Sequence, residues 1–325
     1  MIYQFYDFHP EIGNFREEII TGLSLKQKAI APKFFYDQKG SELFAQICDL
    51  PEYYPTRTEI SILKTYSEEI SQLIDKNCLF IEYGSGNSQK IRILLDILQK
   101  PAGYMPIDIS KEYMLQACEE LAIIYPDLNI IPVCADYTKD LELPLIEQDI
   151  NKKVIFFPGS TIGNLTPEEA LELLQKSATL LNAQDGFLVG VDLKKDIDVL
   201  NAAYNDSQGV TAAFNLNLLP RINHTLNANF EIDDFKHDAF YNEEKGRIEM
   251  HLVSLKKQIV TIDNKDFYFE LGETIHTENS YKYAIDEFHN LSKKAGFYPL
   301  KVWTDINQLF SVHYLIKNGQ MITDN

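Results

Sequence analysis

Residues 78–86 read Cys-Leu-Phe-Ile-Glu-Tyr-Gly-Ser-Gly, a short apolar run that ends in an acid and then breaks into a glycine turn. A run of this length closed by glycines predicts a buried parallel strand. Gly84 and Gly86 predict a sharp turn whose backbone can approach a ligand without a Cβ in the way. A helix is expected next, with Ser88 as N-cap and Ile91, Leu94, Leu95 and Leu98 at the i, i+3, i+4, i+7 spacing of one apolar face. Residues 104–108 and 129–134 predict two more strands, the second running into Ala135-Asp136-Tyr137. Asp108 follows Gly84 at close to the roughly 20-residue interval at which an acid meets a ribose hydroxyl. Taken singly, Glu82, Asp108 and Asp136 read as solvated strand ends. Three acids delivered to one sheet edge predict a nucleoside site.

The kind of nucleoside follows from what is missing. A dinucleotide turn needs a third glycine so that a helix can approach the pyrophosphate, and Gln89 stands at that position. S-adenosylmethionine has no phosphate and carries a cationic sulfonium, so acids around the turn suit it and would repel a pyrophosphate. A methyl donor is therefore expected in preference to NAD.

With 325 residues the chain can build two lobes. Its 30 Lys and Arg against 48 Asp and Glu leave a formal charge of -18, which repels a phosphate backbone, so nucleic acid is not an expected partner. The N-terminal residues lack a basic segment followed by an apolar core, and no apolar run approaches the roughly 18 residues of a membrane span, so a cytoplasmic protein without a membrane partner is expected. Cys48, Cys78, Cys118 and Cys134 are scattered and predict reduced thiols. The seven histidines show no metal-ligand spacing, and no metal is expected.

Further strands are expected at 154–157 and 186–191, with a helix between them: Thr166 as N-cap, Pro167 at the first helical position, Glu169 completing a capping box, and Leu171, Leu174, Ala178 and Leu181 facing inward. This alternation marks a parallel sheet. After Asp192 the rhythm stops, and residues 196–283 read as an insertion with a helix pair and strand regions at 247–262 and 267–271. A last helix with Ala284, Phe288, Leu291 and Ala295 on one face, stopped by Gly296, leads to strands near 298–303 and 309–316. The expected division is 59–195 plus 284–325 for the donor domain and 1–58 plus 196–283 for a second lobe. Phe34, Phe35, Tyr36, Phe44, Tyr53 and Tyr54 near the N-terminus, with Tyr204, Phe214, Phe235, Phe240 and Tyr241 in the insertion, read either as a second aromatic core or as a substrate pocket. The loop 158–167 after the fourth strand, with Gly159 and Asn164, reads either as an ordinary turn or as a site for an amine near the sulfonium.

Longer segments add a resemblance. Pro32-Lys33-Phe34-Phe35-Tyr36-Asp37, Gly40-Ser41-Glu42-Leu43-Phe44, Leu50-Pro51-Glu52-Tyr53-Tyr54-Pro55-Thr56-Arg57, the turn from Glu82 to Gly86, Gly159-Ser160-Thr161-Ile162-Gly163-Asn164-Leu165-Thr166-Pro167 and Arg247-Ile248-Glu249-Met250 are similar to the histidine-specific Nα-methyltransferases of ergothioneine biosynthesis. The resemblance covers nearly the whole chain. It implies an α/β class I methyltransferase, with a Rossmann-like sheet and a second α+β substrate-binding lobe formed by the N-terminus and the insertion. It implies that Gly84, Lys90, Asp108, Asp136 and Tyr137 hold S-adenosylmethionine, with Asp108 on the ribose and Asp136-Tyr137 at the adenine. It implies that Tyr53, Asn164 and Tyr204 fix the carboxylate and amine of L-histidine, that Tyr36 lines the methyl-transfer site, that Glu278 and Ser280 grip the imidazole, and that Phe44, Gly159 and Met250 complete the walls. Thr277-Glu278-Asn279-Ser280 keeps the Glu-x-Ser spacing, with a polar Asn279 where relatives would carry an apolar residue. The implied product is the trimethyl betaine hercynine. Two other readings stand beside it: an N-methyltransferase of another amino acid or an indole metabolite, and a non-catalytic module that binds S-adenosylmethionine.

Overall fold

The computed structural model describes residues 4–10, 15–85, 89–98, 100–146 and 148–318, Gln89 by its backbone alone. Gly86 and the expected cap Ser88 lie outside the described residues. The chain divides into two compact units, one of Met1–Glu11, Pro55–Leu193 and Tyr283–Asn325, the other of Ile12–Tyr54 and Lys194–Lys282.

The first unit carries an eight-stranded sheet in the order Tyr6–Asp7, Val133–Cys134, Gly103–Asp108, Cys78–Tyr83, Lys152–Phe157, Gly186–Asp192, Phe310–Lys317, Phe297–Thr304. Every pair is parallel up to Gly186–Asp192; Phe310–Lys317 runs antiparallel to both of its neighbours. Strand order reverses beside Cys78–Tyr83, and at such a switch point the carboxyl ends of the strands leave a crevice for a ligand. This is the α/β class I methyltransferase sheet expected from the sequence. Cys78–Tyr83 is buried at every residue, as its apolar run requires. The helix after the turn is Gln89–Leu95, and Ile91, Leu94, Leu95 and Leu98 are all buried, Leu98 just beyond the helix end.

Several details differ from the sequence reading. The third strand shrinks to Val133–Cys134 with one isolated bridge at Ile130, because Pro132 has no N–H to offer the ladder. Residues 1–58 do not all join the second lobe: Tyr6–Asp7 pairs with Val133–Cys134, and the lobe begins at Ile12 and breaks off after Tyr54. In the helix Pro167–Leu180 the capping box forms as expected, Thr166 Oγ1 accepting from the Glu169 N–H at 3.2 Å and Glu169 Oε2 from the Thr166 N–H at 2.8 Å, but Leu173 rather than Leu171 joins Leu174 and Ala178 on the buried face. The final helix, Ile285–Lys294, starts after an exposed Ala284, whose N–H is met by Glu287; Phe288 and Ala295 are its buried anchors.

In the second unit a four-stranded sheet runs Lys28–Ala29, Thr274–Tyr281, Arg247–Ser254, Phe235–Asn242, and a separate hairpin pairs Gln258–Ile262 with Lys265–Phe269. The single strand region expected at 247–262 is thus two strands that belong to different sheets. Three helices, Ile197–Tyr204, Val210–Leu216 and Leu218–Leu226, stand where a pair was expected. Asp196 caps the first of them, accepting from the Asp198 N–H at 2.8 Å, and Asp206 accepts from Val210 and Thr211 at the start of the second. Asn215 ties the second helix to the sheet: its amide donates to the His251 carbonyl at 3.0 Å and accepts from the Thr277 hydroxyl at 2.8 Å.

Candidate functional site

In the first unit the expected donor residues gather at the carboxyl ends of neighbouring strands. Gly84 leaves Cys78–Tyr83 with φ +70°, a conformation that disfavours any Cβ, and its N–H donates to the Ile107 carbonyl at 2.9 Å. Glu82 is buried one pleat earlier, where burial pushes its carboxyl up to about 8 while the Tyr104 hydroxyl, donating to it, and Lys90 pull the other way. Asp108 ends its strand half-buried; burial raises its carboxyl, and hydrogen bonds from the Ser110, Ser85 and Ile109 backbones oppose this. Asp136 takes the N–H and O–H of Thr138 on Oδ1, and among the described residues nothing bonds its Oδ2. Tyr137 stacks on Tyr83 with centroids 5.0 Å apart and rings 6° from parallel, so one face of its ring is already covered.

Lys90 does not stand alone. Its ammonium pairs with Glu59 at 2.6 Å, and both Glu59 oxygens accept from the Gly159 N–H at 3.1 and 2.9 Å. Glu59 is fully buried and was absent from the sequence reading. It ties Lys90 to the loop 158–167. Gly159 there has φ +78° and Ser160 φ +56°; the Ser160 hydroxyl accepts from the Asp192 N–H at 2.9 Å, and the turn Thr161–Asn164 presents Asn164 half-buried. Among the described residues nothing bonds the Asn164 amide, which leaves both its donor and its acceptor for a ligand.

In the second unit aromatic rings form one connected wall. Tyr36 meets Phe44 at 5.6 Å and Phe214 at 5.9 Å, Phe44 meets Phe214 at 6.0 Å and Tyr53 at 6.4 Å, and Tyr53 meets Tyr204 at 6.2 Å. Glu52 holds this end, accepting from the Ser207 hydroxyl at 2.7 Å and its N–H at 3.2 Å, which keeps Tyr53 beside the helix that carries Tyr204. Burial, reinforced by Tyr204, Cys48 and Glu278, pushes the Tyr53 phenol well above its ordinary value, so it stays a neutral donor. Met250 lies opposite Glu278 across the strand pair, past a bulge between His276 and Glu278. Burial pushes the Glu278 carboxyl up to about 7, with Lys282 opposing. Ser280 and Tyr204 share a hydrogen bond of 2.8 Å, and Lys282, 2% exposed, donates to Ser280 at 2.8 Å and to Tyr204 at 3.2 Å.

The structure therefore brings together Tyr36, Phe44, Tyr53, Tyr204, Met250, Glu278 and Ser280 in one unit, and Gly84, Lys90, Asp108, Asp136, Tyr137, Gly159 and Asn164 in the other. Sequence reasoning missed Glu59, Phe214 as a wall residue, and Lys282. Lys282 carried a readable signal, since it extends the alternation of Glu278 and Ser280 by one more step along an extended strand. Asn279, on the other face of that strand, keeps its Oδ1 buried without a partner among the described residues.

One cluster has no counterpart in the linear spacing of the histidines. Strand pairing brings ligand atoms of Glu249, His251 and His276 within 4.8 Å of one another. Burial opposes ionisation of Glu249, but hydrogen bonds from Arg247, at 2.9 and 2.7 Å, and His251 outweigh it and hold the carboxyl down to about 2. The two imidazoles stack at 4.7 Å. The arrangement reads as a buried ion-pair network, with a guanidinium where a cation would have to compete. Among the described residues no helix is long and apolar enough to cross a membrane.

A histidine N-alpha-methyltransferase of Mycolicibacterium smegmatis is 39% identical over 89% of this chain and 91% of its own length, and one of Mycobacterium tuberculosis is 38% identical over the same shares. Ergothioneine biosynthesis protein 1 of Schizosaccharomyces pombe is 27% identical over 84% of this chain, which spans 37% of that longer protein. Among solved structures, an S-adenosylmethionine-dependent methyltransferase from Clostridium acetobutylicum aligns over 86% of this chain and 99% of its own with a TM-score of 0.49 at 11% identity, a distant likeness. The family model described as histidine-specific methyltransferase, SAM-dependent, matches residues 15–317, and the chain belongs to that family.

Proposed function

We propose that this enzyme trimethylates the α-nitrogen of L-histidine to hercynine, with S-adenosylmethionine held by Gly84, Lys90, Asp108, Asp136 and Tyr137, and histidine by Tyr36, Phe44, Tyr53, Gly159, Asn164, Tyr204, Met250, Glu278 and Ser280. The activity itself, S-adenosylmethionine-dependent Nα-methylation of histidine in ergothioneine biosynthesis, follows from the family and from two relatives near 40% identity over nine-tenths of the chain. The observation that supports the residue assignment is the cluster in the second unit, where the buried Glu278 carboxyl and the bonded Ser280 and Tyr204 hydroxyls stand at one end of an aromatic wall that runs through Tyr53 and Phe44 to Tyr36.

The donor residues fit the group they are assigned. The left-handed turn at Gly84 leaves room beside the backbone, and the acids at the strand ends suit a cationic sulfonium. Bound there, S-adenosylmethionine would supply an electrophilic methyl group. The chain's own task is positioning, and attack by a neutral amine needs no covalent nucleophile. Asn164 accepts an amine N–H and so aims the nitrogen lone pair. Tyr53 donates to the substrate carboxylate as a neutral phenol, beside Tyr204, whose own proton lies on Ser280. Tyr36, 39% exposed, lines the methyl-transfer site in this reading. As methyl groups accumulate, the nitrogen becomes a permanent cation, which aromatic faces such as Tyr36, Phe44 and Tyr53 stabilise.

Incubation with labelled donor and single amino acids, followed by mass analysis, tests the reading. Histidine should gain three methyl groups while alanine gains none, and histamine, which lacks the carboxylate, should turn over very poorly. Equal donor consumption with alanine would reject histidine as substrate, and brisk turnover of histamine would remove Tyr53 from the carboxylate. Asp108→Ala should weaken S-adenosylmethionine binding about ten- to hundredfold, because a charge-assisted bond to a ribose hydroxyl is lost. Unchanged donor affinity by calorimetry would move the ribose partner elsewhere.

A further inference from the structure

Lys282 is buried beside Ser280 and Tyr204. Glu278, Ser280 and Lys282 fall two residues apart on an extended segment, so their side chains share one face. An ammonium can only donate, and this one donates to Ser280 Oγ at 2.8 Å and to Tyr204 Oη at 3.2 Å. The two hydroxyls lie 2.8 Å apart and share a single proton. A phenol is a far stronger acid than an alcohol, so Tyr204 is the donor and Ser280 the acceptor. Both lone pairs of Ser280 are then filled, one by Lys282 and one by Tyr204. Its remaining hydrogen-bonding capacity is its own O–H, which has no acceptor among the described residues and is left for a ligand.

Glu278 presents the opposite polarity. An ionised carboxylate accepts and cannot donate, and among the described residues no group hydrogen-bonds its side chain. Lys282 is the cation acting on it. The contacts of five other ionisable groups nearby are defined. Arg247 and His251 close on Glu249, His276 Nε2 bonds the Glu278 backbone carbonyl at 3.0 Å, His237 bonds Asn215 and the Tyr204 carbonyl, and Tyr53 is a neutral phenol.

We infer that Lys282 is a positioning residue that sets the direction of these hydrogen bonds, so that the pocket binds histidine as a neutral imidazole in one tautomer, its N–H on Glu278 and its bare nitrogen on Ser280. The inference rests on the reading that histidine is the substrate and adds its protonation state. A ligand edge with one donor and one acceptor satisfies both groups. An imidazolium presents two donors and sets one of them against the Ser280 O–H. An indole meets Glu278 and leaves Ser280 unsatisfied, and a phenyl ring satisfies neither. Lys282 also disfavours a second positive charge beside it, so the bound imidazole should hold its extra proton less tightly than free histidine does.

Ring-15N-labelled histidine, bound to the full chain together with the demethylated donor, reports this by NMR. From about pH 6, below the ordinary imidazole value of about 6.5, to about pH 8, above the value of about 7 to which burial raises the ligand-free Glu278 carboxyl, the wild-type complex should show one protonated and one bare ring nitrogen. Two equally protonated nitrogens would overturn the proposal. In Lys282→Met the bound imidazole should protonate at a pH higher by about one unit or more, because the pocket keeps its carboxylate and loses the opposing cation. Lys282→Arg should restore the wild-type pattern. A Lys282→Met complex that titrates as wild type does would overturn the role of Lys282, whatever its affinity. Should that variant fail to fold, the wild-type spectrum still decides the protonation state. No binding of labelled histidine to wild type would overturn the histidine reading and this inference with it, a result distinct from binding as the imidazolium, which overturns the inference alone.

Discussion

Replacing Glu59 with alanine is expected to destabilise the first unit by about 3 to 5 kcal/mol, the cost of leaving one member of a buried ion pair without the other. Two losses combine. Lys90, 17% exposed, keeps a charge with no nearby counterion, and the Gly159 N–H loses both of its acceptor oxygens. The surroundings are built around this carboxylate, since Gly190 on the strand Gly186–Asp192 lies where any Cβ would collide with Glu59 Oε1. Urea melting checks the figure, and the double variant Glu59→Ala, Lys90→Met should recover part of the loss by removing the stranded charge. A single variant within about 1 kcal/mol of wild type would show that the pair is solvated and that the loop is held by other contacts. The same measurement bears on donor binding. With Glu59 gone, Lys90 is no longer fixed, and a folded Glu59→Gln protein, which keeps an acceptor for Gly159, should separate loop support from ion pairing.

Local chemistry explains what was legible in the sequence. The run 78–83 announces itself because a strand buried on both faces must be apolar throughout, and the helix Pro167–Leu180 announces itself because its cap, its first proline and its capping-box glutamate are all read within four residues. The strands Phe235–Asn242 and Thr274–Tyr281 could not be read this way. The first buries just Phe235 and Ala239 among polar neighbours, and the second mixes Thr, His, Glu, Asn and Ser with two isolated apolar residues. Propensity and pattern describe a half-buried surface with one apolar face, and a strand polar on both faces departs from both. Glu59 was hidden for a related reason: a single acid in a helix reads as surface until its partners arrive from residues 90 and 159. The approach of Glu249, His251 and His276 is likewise a product of strand pairing, absent from any linear spacing. Whole-chain resemblance supplied Tyr204, Glu278 and Ser280, which no periodicity could have selected.

Glu278→Ala should raise the KM for histidine about ten- to hundredfold, leave S-adenosylmethionine affinity nearly unchanged, and relax discrimination against tryptophan by about two orders of magnitude or more. The first effect is the loss of one charge-assisted hydrogen bond. The last follows from how a polar site rejects: a pocket whose buried groups must be met by the ligand excludes analogues that leave them unpaired far more strongly than an apolar wall excludes a difference in size. Removing Glu278 removes that unmet group and opens volume beside Met250. The carboxyl also predicts a pH dependence with a defined sign. Burial raises it from 4.5 to about 7 in the ligand-free protein, against the opposing Lys282. Between those values the folded chain holds a proton that the unfolded chain has released, so the contribution of this group to stability is full below about pH 4.5 and is lost as pH rises through about 7. Glu278→Gln cannot titrate, and the stability difference between the two proteins should drift in the variant's favour across that window. Steady-state kinetics and melting at several pH values decide both points. An unchanged KM for histidine with unchanged rejection of tryptophan would take Glu278 out of the site, and parallel pH profiles would place its carboxylate in solvent.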